Sequence, residues 1–227
     1  MQTGEPYSRL VAMVPKQEWF AVRQAMVGKR VEGSFLPANL TLLGIEKAAV
    51  ERWSGVLLGL RKACDEPYQP GPIDEGLPRL AELAALAAHV KFASGERHGG
   101  VTYLLDSLKM AARIRKSAPE PADRCQSLVM AAFARDLAAI PLPECDRVRA
   151  SVDVWIAEPT LQRAERARYA LLRLHMRVEA FRWKNLKIPT QIGEAAPAAE
   201  IGKGIRYDTT PTGYRLRDDE LGELGGF

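Results

Sequence analysis

The side chains through which this 227-residue chain could do chemistry are three histidines, three cysteines, an acidic C-terminal run and a row of arginines. His89, His98 and His175 fall in different predicted elements. None has a second ligand of suitable chemistry at i+3 or i+4, so neither a zinc site nor a catalytic triad can be argued from them. His98 lies in GERHGG, which lacks the Gly-Lys-[Ser/Thr] of a phosphate loop and the strand that would precede one. That stretch predicts a helix–helix turn, with His98 as a solvated loop residue. Cys64, Cys125 and Cys145 are odd in number, far apart and without a Cys-x-x-Cys pair, so they predict small core residues rather than a disulfide framework. Ser107 and Ser127 sit inside helical patterns with no base in sight, and no nucleophile motif is present.

Two charged groups remain. Asp218, Asp219, Glu220 and Glu223 could offer carboxylates to calcium, which takes six to eight oxygen ligands. Their spacing is not that of an EF-hand loop, and a solvated acidic tail is the plainer expectation. Arg163, Arg166, Arg173 and Arg177, with Lys184 beyond, could contact phosphates. Glu165 and Glu179 interrupt that stripe, and no nucleic-acid reader motif accompanies it. The net charge is +4, with ten basic against five acidic side chains over residues 146–187 and four against seven over 188–227. Hydrophobic residues make up 47% and charged ones 26%, an ordinary globular composition. No run reaches the roughly 18–20 apolar residues of a membrane span. The first ten residues lack the basic-then-apolar build of a signal peptide, so the expectation is either a protein that works where it is made, in the cytoplasm, or a targeting segment missing from this chain.

The elements that must position these groups are mostly helices. A short one is predicted over Lys16–Val27, ended by Gly28. Asn39 is the predicted N-cap of a long helix to Cys64, carried by Leu42, Leu43, Ala49, Val50, Trp53, Val56, Leu57 and Leu60 at spacings of three and four. The Pro- and Gly-rich stretch 65–76 is a connection. Further helices are predicted from Pro78, over Val101–Lys116, from an Asp123 cap to Ile140, and over Cys145–Ala157. The breaks between them are SGERHGG, SAPEPA and PLPE. Loops this short favour antiparallel neighbours, and no fixed repeat period is present.

The longest uninterrupted pattern is 160–184. At 100° per residue from Arg163, Phe181, Leu174, Val178, Leu171, Ala164 and Ala167 fall between about 0° and 100°. Tyr169, Leu172, Met176 and Trp183 fall between about 180° and 240°, and Arg166, Arg173 and Arg177 between about 280° and 320°. Two apolar sides predict a spine, one side on the helical body and the Tyr169–Leu172–Met176–Trp183 side receiving the C-terminal segment. That segment contains GIRYD and GYRLR, two alternating runs joined by TTPTG, which predict a β-hairpin. The expected organisation is a helical body over 1–157 and the long helix plus hairpin over 158–227.

The helix ending FRWKNLKIPTQIGEAAP, followed by GIRYDTTPTGYRLRDDELGELGG, resembles the C-terminal end of type II secretion pseudopilins. It is closer still to uncharacterised bacterial proteins with a helical body and a pseudopilin-like tail. Ile188-Pro189, Ile205-Arg206-Tyr207, Gly213-Tyr214-Arg215-Leu216 and Asp218 to Gly226 take the places of that family's C-terminal segments. KFASGERHGGVTYLLDSLKMAARIRK is similar to its helix–Gly loop–helix unit. The resemblance covers about 77–227. It departs at Gly202-Lys203, where the family has Asp-Pro, and lacks the N-terminal membrane helix. It implies an envelope-associated or filamentous assembly, calcium near Asp218, Asp219 and Glu223, and no enzymatic activity.

The sequence therefore predicts a mainly α protein: an irregular antiparallel bundle or short solenoid with a spine helix and a small C-terminal hairpin. Its function is expected to be non-enzymatic scaffolding, with a protein partner or self-assembly. The alternative is a basic helical subunit of a nucleoprotein complex, touching nucleic acid through Arg163, Arg166, Arg173, Arg177 and Lys184.

Overall fold

A computed structural model describes residues 6–30, 37–66, 76–159, 161–211 and 213–224. Predicted features at 33, 67–75, 160, 212 and 225–226 lie outside the described residues. The chain is mainly α and divides into two compact units, Met1–Val129 and Met130–Phe227.

The first unit holds α1 (Pro6–Ala12), α2 (Lys16–Arg30), α3 (Pro37–Arg52), α4 (Ser54–Asp65), α5 (Leu77–Ala93), α6 (Arg97–Ile114) and the start of α7 (Pro119–Asp136). Its centre is the α5–α6 pair. Alanines 81, 84, 87 and 88 of α5 are fully buried, which keeps side-chain volume small and lets neighbouring helices approach closely. Gly100 serves the same end: a Cβ there would meet the Phe92 ring at 2.9 Å and the Ala88 carbonyl at 3.1 Å. The predicted turn SGERHGG is therefore shorter than expected. Only 94–96 connect the helices, and His98 lies in the first turn of α6.

Other helix boundaries also differ from the sequence expectation. The single helix expected from Asn39 to Cys64 starts at Pro37 and breaks at Trp53, whose backbone leaves the helical region (φ −107°, ψ 25°). Trp53 is buried edge-to-face against Trp19, ring centroids 5.5 Å apart, a tertiary contact rather than a local breaker. Gly28 does not end α2, which runs to Arg30. SAPEPA and PLPE are helix starts as much as breaks, because proline suits the first helical turn, where no amide donor is required. Asp123 consequently lies inside α7, where it takes an ion pair from Arg115 at 2.8 Å.

The second unit contains α8 (Leu142–Ile156), α9 (Arg163–Asn185), short 3-10 turns at 137–139, 192–194 and 198–200, and a three-stranded antiparallel sheet. Its strands are β1 (Ile205–Thr210), β2 (Gly213–Asp218) and β3 (Gly222–Glu223), in the order β1-β2-β3. Thr210 pairs Gly213 and Ile205 pairs Asp218, so the predicted hairpin forms, with one more strand than expected. The boundary between units falls at 129/130, where the sequence reading sets it at 157/158, because α8 packs along α9. α9 runs 23 residues without glycine or proline and ends at Leu186, in the left-handed region at φ 53°. Among the described residues no helix is long and apolar enough to cross a membrane.

Candidate binding cleft

Both apolar sides of α9 are buried: Leu171, Leu174 and Val178 on one, Tyr169, Leu172 and Met176 on the other, each at most 2% exposed. Of the residues expected to receive the sheet, Tyr169 and Trp183 have partners on other elements. The Tyr169 ring lies tilted by 37° against Trp155 of α8, centroids 5.3 Å apart, and the Trp183 indole N–H donates to the Ile140 carbonyl at 2.7 Å. The sheet is met through His175 and Glu179, which lie on the wheel between the two apolar arcs, at about 120° and 160°.

There the His175 Nδ1 lies 3.1 Å from the Tyr214 hydroxyl of β2. The same hydroxyl is hydrogen-bonded to Glu179, which also accepts from Arg182 at 2.7 Å. Arg182 donates in turn to the Ala138 carbonyl. A hydroxyl has one proton, which favours one arrangement: Tyr214 donates to the Glu179 carboxylate, and the protonated Nδ1 of neutral His175 donates to the Tyr214 oxygen. The Nε2 then carries a lone pair, and among the described residues it is buried without a partner. Burial lowers the His175 imidazole to about 3 and raises the Glu179 carboxyl, while burial and the nearby Glu179 carboxylate raise the Tyr214 phenol. His175–Glu179 is an i, i+4 pair that the sequence does contain. It is the one local signal of this site, and the His-x-x-x-Glu spacing alone does not reveal that a strand tyrosine closes it.

This network forms one wall of a cleft of about 530 Å³. Consecutive residues of β2, Gly213 to Leu216, line it together with Leu137, Ile188, Leu224, Arg135, Arg182 and Glu223. Among the described residues, β3 pairs with Arg217 and Asp218 of β2. The volume lies within the range of ligand pockets, and the lining mixes the buried Leu216 and Leu224 and the half-buried Leu137 and Ile188 with charged side chains.

The arginine stripe is engaged within the unit. Arg177 makes a two-pronged ion pair with Glu200, which Arg173 also approaches at 3.6 Å while bonding Asp153 at 3.0 Å. Arg166 donates to the carbonyls of Ile156 and Glu158, capping the end of α8. Arg163 pairs with Glu220, and Lys184 is exposed. The acidic group is similarly divided. Asp218 accepts the Glu220 and Leu221 amides at 2.8 and 3.1 Å, Asp219 pairs with Arg206, and Glu223 pairs with Arg215 at 2.9 Å. Among the described residues no group of three or more His, Cys, Asp or Glu is placed to hold a metal. The three cysteines are buried free thiols, with Cys125 and Cys145 pushed up to about 12 by burial.

No family model, curated protein or solved structure matches this chain.

Proposed function

We propose that this protein is a non-enzymatic helical interaction protein that docks an extended segment of a protein partner in the cleft beside β2. The carrying observation is that four consecutive strand residues, Gly213 to Leu216, line the cleft. A strand that lines a cleft can offer backbone groups to an extended segment, and Leu137 and Ile188 offer apolar contacts for its side chains. The rim arginines and glutamates are paired with each other, Arg182 with Glu179 and Arg215 with Glu223, so the cleft favours a largely uncharged segment. The resemblance of residues 77–227 to pseudopilin-like proteins supports an envelope-associated or filamentous setting for that partner.

The nucleoprotein alternative has less to stand on, since Arg166, Arg173 and Arg177 are occupied by carbonyls and carboxylates of their own unit. Panning a displayed library of random peptides on the folded chain tests the proposal. Binders that lose affinity for Ile188→Glu and Leu137→Glu, but not for Arg163→Ala, support it. A library that yields no such binders counts against it.

A further inference from the structure

The end of α9 carries a feature that the cleft does not use. Leu186 sits in the left-handed backbone region, at φ 53° and ψ 25°, where a Cβ is crowded and glycine is the usual occupant. Its side chain is 88% exposed, so packing within the unit does not account for a leucine at this position. Trp183, three residues earlier, is 37% exposed. Its indole is held at one edge by the Ile140 carbonyl, and the Arg182 guanidinium lies 5.3 Å from its ring. Lys184 and Lys187 flank the pair and are exposed, and Lys187 lies close enough to the Glu194 carboxylate to help lower it. The sequence from Ala180 to Gly193 contains no acidic residue.

We propose that this corner is a contact for an anionic lipid surface. A protruding leucine enters the boundary between headgroups and acyl chains, the partly exposed Trp183 ring adds apolar surface beside it, and lysines meet lipid phosphates and carboxylates. A deformable surface also needs no preformed pocket to receive a protruding side chain. Such a contact is reversible and salt-sensitive, and supplies one of the two signals that stable attachment requires. None of Trp183, Lys184, Leu186 and Lys187 lines the cleft, so the two proposals fail independently.

The test is co-sedimentation of the full chain with phosphatidylcholine vesicles, with and without phosphatidylserine, at low and high salt. Binding is expected only to the phosphatidylserine vesicles and should fade at high salt. Lys184→Gln and Lys187→Gln should each weaken it about 5-fold, the loss of one lysine's surface attraction. Leu186→Gly should weaken it about 10-fold. Glycine favours the left-handed conformation already present, so this variant keeps the fold, checked by its circular dichroism and melting curve. Binding to neither vesicle, equal binding to both, or undiminished binding by Leu186→Gly would overturn the proposal. The first of these outcomes would assign the corner to a protein surface instead.

Discussion

His175 of α9 and Tyr214 of β2 meet at 3.1 Å, and through that contact a buried polar chain from Arg182 and Glu179 reaches the sheet. The sheet is small, and its third strand has two residues. An isolated hairpin of this size is marginal in water, so its attachment to α9 decides whether it is ordered. Leu216, 1% exposed, supplies the apolar part of that attachment and Tyr214 the polar part.

Tyr214→Phe keeps the ring and removes the hydroxyl shared by His175 and Glu179. The variant should lose about 1–3 kcal/mol of stability, the cost of leaving buried partners unmet. Urea unfolding followed by circular dichroism checks this. A cycle with His175→Phe should show that the two losses do not add.

The pH dependence has a definite sign. His175 is neutral in the fold, lowered by burial from 6.5 to about 3. The stability it confers is complete above the unfolded-state value and is lost as pH falls from about 6.5 towards 3, with a limiting slope of about 1.4 kcal/mol per pH unit. Glu179, raised by burial, acts in the opposite sense: its contribution is present at low pH and lost as pH rises through its folded-state value. Unfolding free energy measured across about pH 4–7 should therefore fall less steeply on the acid side in His175→Asn than in the parent chain.

Glu200 serves two arginines, and its side chain is only 17% exposed. Glu200→Gln should cost about 1–3 kcal/mol, because Arg173 and Arg177 then face each other without a shared anion. Arg163→Ala breaks a pair whose side chains are 84% and 68% exposed, and thermal melts should move by no more than about 0.5 kcal/mol equivalent.

Calcium should not raise the melting temperature. Asp219 and Glu223 are held by arginines, and Asp218 by its own turn. A shift above about 1 °C at millimolar calcium would show that the ion draws these carboxylates away from their partners.

Helix content, the long spine and the register-forming runs Ile205–Tyr207 and Tyr214–Leu216 are visible in the sequence because each has its own periodicity. The break at Trp53 is not, since it comes from packing against Trp19 and no glycine or proline marks it. Pro119 and Pro143 mislead in the other direction: the same residue that stops a helix also opens one. On α9 the two apolar sides are legible, but which neighbour each receives is not. Tyr169 and Trp183 look equally suited to a sheet or to a helix, and it is the polar pair His175 and Glu179 that meets β2. β3 offers too few residues to show an alternation.

Docking of an extended segment beside β2 is tested most directly by backbone amide shifts of the isotope-labelled chain as a selected peptide is titrated in. Gly213 to Leu216, Leu137 and Ile188 should move together and saturate with one affinity, and Ile188→Glu should abolish the response. Peptides that shift only residues elsewhere, or bind the Ile188→Glu chain as well as the parent, would contradict it.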